Sequence, residues 1–161
     1  MLEVLRKTNP VAAREYRCMF CGCNIQKGER YERATTKFDG RIYDFINHED
    51  CFILAHKEDW FNTDSDGLDE YEFSENLLQY IDFYYRDEQT DDIPKSMQSL
   101  SNIELVRKAL ADYDEPSIKR KRLKADIEEL EFRKKCRGGS LSKYDANRLE
   151  EYKNELITLE G

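Results

Sequence analysis

Two pairs of residues in this sequence have the types and spacing of metal ligands. Cys18 and Cys21 form a C-x2-C pair, and after a gap of 26 residues His48 and Cys51 form an H-x2-C pair. Zn²⁺ is held in proteins by four nitrogen and sulfur ligands in a tetrahedron, commonly supplied as two such close pairs. The sequence therefore predicts one zinc site with these four residues as its ligands. Cys23 lies two residues after Cys21 and is left open as a replacement for one of them.

A complete set of four protein ligands indicates a structural metal, because a catalytic zinc keeps one position open for water or substrate. The sequence has no H-E-x-x-H motif, no phosphate-binding loop and no serine nucleophile elbow. We therefore predict that the protein is not an enzyme. An HNH-type nuclease is a weaker alternative suggested by the dipeptide Asn47-His48. This alternative requires His48 as a catalytic residue, although the spacing assigns His48 to the metal.

Composition predicts a cytoplasmic protein with a modest core. Charged residues make up 37% of the 161 residues and apolar residues 39%, so a metal site would supplement limited apolar burial. The sequence contains no apolar run of membrane-spanning length, and its first residues lack the apolar centre of a signal peptide. In a reducing cytoplasm a C-x2-C pair favours metal binding over a disulfide, and no membrane partner is expected.

Charge and breaker residues divide the chain into four predicted segments. An N-terminal arm covers 1–13 and a zinc-finger module covers 14–57. A helical region rich in acidic and aromatic residues covers 58–116, and a coiled-coil-like helical hairpin covers 117–161. Residues 52–116 carry a net charge of −12, whereas the sequences on either side are near neutral or mildly positive. The expected fold class is α+β, with a small zinc-bound β-hairpin module before a mainly helical body.

The zinc-finger module is predicted to contain a hairpin between its ligand pairs. Strand-forming residues occupy 29–36 and 41–46, and Asp39-Gly40 between them is a hairpin turn signal. Asn47 is assigned as the N-cap of the following helix, which would place His48 and Cys51 on one face of its start. Downstream, apolar spacing and breaker residues predict helices over about 74–86, 101–113 and 117–137, and from 142 onward.

Part of the module resembles a known family. Cys18-Met-Phe-Cys21-Gly22, then Gly28-Glu29 and Tyr31, then His48-x-x-Cys51-Phe52 resemble a PARP-type zinc finger. The pattern is also similar to small zinc-binding proteins of bacteriophage and prophage genomes, and its ligand pairs are similar to half of a LIM domain. The resemblance covers about residues 14–57. It implies phage or prophage origin, with the bacterial host cytoplasm as location, and DNA-end binding through basic residues: Arg30, Arg33, Lys37 and Arg41.

A second basic group lies at the start of the C-terminal helical hairpin. It consists of Lys119, Arg120, Lys121, Arg122 and Lys124. Such a run either contacts nucleic-acid phosphates or forms a solvated helix surface. With the hairpin residues it supports the alternative function, that of a DNA- or RNA-binding zinc-finger protein.

The acidic aromatic region is a candidate surface for a protein partner, because aromatic anchors ringed by charge are typical of interfaces. A solvated acidic face is the alternative, and mimicry of DNA charge is another. The candidate residues are Trp60, Phe61, Asp64, Asp66, Asp69, Glu70, Tyr71 and Phe73. The function that we predict is that of a non-enzymatic zinc-binding interaction protein that binds a host or phage protein. The apolar spacing of the C-terminal hairpin also suggests self-association.

Overall fold

A computed structural model describes residues 3–61 and 67–161. It has the α+β architecture expected from the sequence, and it divides into two compact units, Met1–Ala111 and Asp112–Gly161. The strands are β1 (Glu3–Thr8), β2 (Tyr16–Arg17), β3 (Asn24–Ile25), β4 (Tyr31–Phe38) and β5 (Arg41–His48). The helices are α1 (Glu49–Lys57), α2 (Glu70–Tyr85), α3 (Lys95–Gln98), α4 (Asn102–Ala111), α5 (Pro116–Cys136) and α6 (Lys143–Glu160).

The predicted hairpin is confirmed and is the centre of a three-stranded antiparallel sheet with the order β1-β4-β5. Asp39 and Gly40 both have positive φ, 49° and 75°, as a two-residue hairpin turn that matches the strand twist requires. The ladder runs from Phe38 opposite Arg41 to Tyr31 opposite His48. Both strands extend two residues beyond their predicted ends, so the sheet carries His48 directly to the start of α1.

The segment predicted as an N-terminal arm contributes strand β1 to this sheet. Residues 3–8 pair antiparallel with β4, with a bulge between Val4 and Arg6. This strand is exposed along most of its length and mixes charged and apolar residues without alternation. It therefore carries no sequence signal of a half-buried strand, and its pairing depends on β4.

Helix α1 begins one residue later than the sequence indicated. His48, not Asn47, is its N-cap residue, and no side chain caps its first turn. Glu49 and Asp50 lie in that first turn, where their charge complements the helix dipole. The prediction of Asn47 as the cap was wrong: its Oδ1 is buried and has no hydrogen-bond partner in the described part of the chain.

Helices α2 and α4 pack against the rest of the first unit. Helix α2 starts with a capping box, in which the Asp69 side chain accepts from the Glu72 amide and Glu72 reaches back to the Asp69 amide. This start lies four residues before the predicted one. The buried core that joins the helices consists mainly of Leu54, Phe73, Leu77, Ile81 and Val106.

The second unit is the helical hairpin that the sequence predicted. Gly138 and Gly139 have positive φ after α5, and the Ser142 side chain accepts from the Asp145 amide to begin α6. Its buried apolar residues are Ile118, Leu123, Leu130 and Leu149. None of the helices within the described ranges is long and apolar enough to cross a membrane.

Candidate metal centre

The four predicted ligands converge on one point in the first unit. Cys18 and Cys21 lie in the loop between β2 and β3, His48 ends β5, and Cys51 lies in the first turn of α1. Their ligand atoms all lie within 4.8 Å of one another, and the residues are only 0–4% exposed. Three thiols and one imidazole in this arrangement can hold a metal ion.

The loop around the first cysteine pair has the geometry of a metal knuckle. The amide of His48 donates to Cys18 Sγ at 3.3 Å, and the amide of Cys21 donates to the same sulfur at 3.5 Å. The Gly22 amide turns back to the Cys18 carbonyl at 3.1 Å, with a φ of +73° that favours glycine. Donors directed at sulfur stabilise a thiolate, so the backbone prepares Cys18 to act as a ligand.

The two ring nitrogens of His48 have different roles. Nδ1 lies 3.3 Å from Cys21 Sγ and points into the cluster. Nε2 lies 3.2 Å from the Asn24 carbonyl, which can accept its hydrogen. A histidine ligand that donates from its second nitrogen to a carbonyl is fixed in one tautomer. The structure therefore assigns Nδ1 as the metal-binding atom.

The thiols influence one another strongly. Hydrogen bonds from the Cys21 and Cys51 thiols, aided by the His48 ring, lower the pKa of Cys18. The hydrogen bond to Cys18 raises the pKa of Cys51, and contact with Cys21 and burial raise it further. The pKa of Cys21 is also raised, first by its hydrogen bond to Cys18. The site therefore disfavours ionisation of all three thiols at once, and a bound cation would have to offset the charge of three thiolates.

Cys23, the alternative ligand, lies outside the cluster. It is partly exposed, and its Sγ lies 3.8 Å from the Cys21 carbonyl. Its backbone carbonyl instead accepts from the Cys18 amide at 2.9 Å, which closes the knuckle. The structure therefore favours Cys21 over Cys23 as the second ligand.

Helix α4 supports the cluster from outside, which the sequence did not reveal. Asn102 Nδ2 donates to the Cys21 carbonyl at 3.2 Å. Arg107 bridges Asp50 at 3.0 Å, beside the Cys51 ligand, and Glu29 at 2.8 Å. Glu29 in turn lies 3.9 Å from His48 Nε2. Partial burial opposes the charge of Glu29, but the Gln26 amide and Arg107 hold its pKa below the ordinary value.

The basic residues proposed on the β-hairpin differ in how far they are engaged by other protein groups. Arg30 donates to the Asn9 carbonyl at 3.1 Å, and Arg33 forms an ion pair with Asp44 across the β4–β5 ladder. Lys37 and Arg41 are exposed near the turn. Two of the four candidate cations thus have protein partners.

The basic group on α5 is largely engaged within the helical hairpin. Lys119 pairs with Glu155 at 2.5 Å and Lys124 pairs with Glu160 at 3.1 Å, both on α6. Arg120 donates to the Leu159 carbonyl, and Arg122 donates to the Tyr113 carbonyl while its guanidinium lies 3.6 Å from the Tyr113 ring centre. Lys121 is partly buried. These cations already have partners in the structure, so binding to phosphate would compete with those contacts.

The aromatic candidates for partner binding divide into core and surface. Phe73 is fully buried, and its ring centre lies 5.2 Å from that of Phe20, in a stacked pair, and 5.3 Å from that of Trp60, in a T-shaped pair. Its assignment as a partner anchor was wrong, because an aromatic residue at this point of the helical spacing faces the core. Tyr71 is 72% exposed. Phe61 is partly buried against Phe20, Phe52 and His56.

The acidic candidates have structural roles at the start of α2. Asp69 is the N-cap residue, and Glu70 pairs with Arg17 at 2.6 Å. Asp64 and Asp66 lie outside the described residues. The acidic character of this region is therefore partly explained by helix capping.

Comparison of the chain with protein-family models, with curated proteins and with solved structures finds no match. The resemblance to PARP-type fingers stays a hypothesis that depends on residues 14–57. The function must be inferred from the geometry of the site and its surroundings.

Proposed function

We propose that this protein is a zinc-binding interaction protein without enzymatic activity, which acts by binding another protein. The observation that carries the proposal is the closed, buried set of four ligands. A site with all four positions filled by protein has no position for substrate, so the metal holds the fold. The surfaces around it are then free to bind a partner.

Zinc fits this donor set better than other common metals. Thiolate ligands select soft or borderline ions, and Mg²⁺ and Ca²⁺ require oxygen ligands that the cluster lacks. Three thiolates and one imidazole are a common combination for structural zinc. Loading the protein with zinc and measuring one bound ion per chain by atomic emission tests this assignment. A protein folded without bound metal would contradict it.

Charge supports a protein partner over nucleic acid. Residues 52–116, which include α2 and α4, carry a net charge of −12, and this repels phosphate. The basic groups on the β-hairpin and on α5 are engaged in part by carboxylates and carbonyls. A nucleic-acid ligand would have to compete with those contacts.

Affinity purification from a bacterial lysate, with and without nuclease, tests the proposal. The tagged, zinc-loaded chain is expected to retain a discrete protein whose recovery nuclease does not change. The bacterial lysate is chosen because the resemblance to phage proteins implies a bacterial host. Retention that nuclease abolishes would overturn the proposal.

Nucleic-acid binding through Lys37, Arg41 and the basic group on α5 is the alternative, and the exposure of the first two favours it. It predicts affinity for duplex ends or single strands that falls steeply with salt. Replacing Lys37 and Arg41 together with glutamine should then reduce the salt dependence, whereas Lys27→Gln, an exposed lysine outside both groups, should not. Undetectable binding at low salt would exclude this alternative.

A further inference from the structure

A groove lies over one face of the three-stranded sheet in the first unit. Ladder partners share a face, so Ala34 and Phe45 lie on the same side as Glu32 and Asn47. Val4 and Lys7 of β1 pair with Thr36 and Ala34 and extend that face to the sheet edge. We call this face the groove floor. A sheet face with apolar side chains is normally covered by another layer, and here helices cover only part of it.

The walls of the groove are aromatic. Phe52 and His56 of α1 lie one turn apart on one side, with their rings stacked at 5.7 Å. Phe61 follows α1, and Met19 and Phe20 enter from the metal knuckle. The open groove has a volume of about 820 Å³, which lies in the range of binding clefts, roughly 300–1,000 Å³. The metal ligand Cys18 also borders the groove, so the metal centre forms part of its frame.

Polar groups in the groove are incompletely satisfied. Asn47 is 3% exposed and lines the groove, and its Oδ1 has no hydrogen-bond partner within residues 3–61 and 67–161. Buried acceptors are nearly always paired in folded proteins. Glu32 also lines the groove; burial raises the pKa of its carboxyl group, and Lys7 lies 4.0 Å away. Asn47 Oδ1 itself is enclosed by the protein, so Glu32 is the group to which an occupant with positive charge would be complementary.

The rim of the groove is acidic. Its charged residues are the carboxylates Glu32, Asp69, Glu70 and Glu72 and the cations Lys7 and Arg17. Each cation is already paired, Lys7 with Glu32 and Arg17 with Glu70. Asp69 and Glu72 take part in the capping box of α2 and have no ion-pair partner in the described structure. The rim therefore has an excess of negative charge beside an apolar interior.

We propose that this groove binds a basic amphipathic peptide segment of a partner protein. Apolar side chains of the segment would enter between Phe45, Phe52 and Phe61, and its lysines or arginines would meet the carboxylates of the rim. An amphipathic helix laid into an apolar groove is a recurrent mode of peptide recognition. This assignment rests on the proposed function. It specifies the partner as a protein that displays such a segment.

Fluorescence anisotropy with a model peptide tests the proposal on the full zinc-loaded chain. The probe is a labelled peptide of leucine and lysine, with leucine at positions i, i+3, i+4 and i+7. A matched probe replaces every lysine with glutamate. The lysine peptide is expected to bind at least about tenfold more tightly than the glutamate peptide, because the rim attracts the first and repels the second.

Two variants on opposite faces of the sheet locate the binding. Val4 is 49% exposed on the groove side, and Ile42 is 66% exposed on the other side. Val4→Lys should weaken binding of the lysine peptide by about tenfold or more, and Ile42→Lys should change it by less than about twofold. Both substitutions replace an exposed apolar residue with the same charge, so overall charge is controlled. Circular dichroism verifies that both variants are folded.

Four outcomes would overturn the assignment. Equal losses in the two variants would show attraction to overall charge, and equal binding of the two probes would show a nonspecific apolar surface. A concentration-dependent dimer that Val4→Lys abolishes would identify a second copy of the chain as the occupant. If a lysate protein is retained equally well by Val4→Lys, the groove assignment fails while the proposed function stands.

Discussion

Replacing Arg107 with glutamine tests whether α4 contributes to metal binding. The guanidinium reaches Asp50 at 3.0 Å and Glu29 at 2.8 Å, and its side chain is about half exposed. Exposed ion pairs contribute about 0.2–1 kcal/mol each, so losing both should lower the free energy of unfolding by about 0.4–2 kcal/mol. That loss affects the fold as a whole and would not by itself reveal a role at the metal.

The informative quantity is metal affinity. Glu29 lies beside the Nε2 side of His48 and Asp50 precedes Cys51, so Arg107 restrains the surroundings of two ligands. Loss of an outer-shell contact costs about 10–100-fold in metal affinity. The 3.9 Å gap between Glu29 and His48 argues for the lower end. We expect about a tenfold loss for Arg107→Gln, equivalent to about 1.4 kcal/mol.

Competition with a chromogenic zinc chelator measures this affinity, and Arg86→Gln is the matched control. Arg86 also pairs with two carboxylates, Asp82 and Asp91, and is similarly exposed, but it lies at the end of α2. Arg86→Gln should lower stability by a similar amount and leave zinc affinity within about twofold. Equal zinc affinities for the two variants would refute the reasoning that α4 forms an outer shell of the metal site.

Three further predictions concern the fold. Replacing Cys51 with serine should abolish the cooperative unfolding of the first unit, since structural zinc binding supplies folding free energy. Thermal circular dichroism after zinc loading measures this, and a variant that melts like the wild type would contradict it. Phe73→Ala should lower the free energy of unfolding, measured by urea denaturation, by about 3–5 kcal/mol because Phe73 is fully buried. The exposed-residue control Tyr71→Ala should lower it by less than about 0.5 kcal/mol, and similar losses for the two variants would show that the core is misassigned. Arg33 and Thr35 hold the pKa of Asp44 below its ordinary value, so ionised Asp44 stabilises the fold above the pKa of the unfolded state, and this stabilisation is lost as pH falls through the folded pKa. The urea midpoints of the wild type and Asp44→Asn should therefore converge at acidic pH. A difference that stays constant with pH would exclude the ion pair as the source of the stabilisation.

The parts of the fold that could be predicted depend on local signals. Asp39-Gly40 requires positive φ and so determines the β4–β5 hairpin. The spacing of cysteine and histidine identified all four residues of the cluster that could hold a metal. The start of α2 was missed although its signal is in the sequence: Asp69 and Glu72 have the spacing of a capping box. Aromatic residues near that start were interpreted as surface, and Phe73 proved to be core.

Other features have no local signal. Strand β1 lacks alternation because it is an exposed edge, and only its pairing with β4 defines it. The contact of Arg107 with Glu29 spans 78 positions in the sequence, and the groove exists only after three strands and α1 are assembled. Sequence patterns describe what each element buries, but a site between elements depends on which faces the assembly leaves open.

The position of His48 at the last pair of the β4–β5 ladder couples strand alignment to metal capture. His48 lies opposite Tyr31, and its side chain meets the cysteines only in this alignment. A slip of β5 by one residue would turn the histidine to the other side of the sheet and leave three thiols without their fourth ligand. A metal bound by all four residues would therefore require a correctly aligned hairpin, and its binding would favour that alignment over misaligned forms of the folding chain.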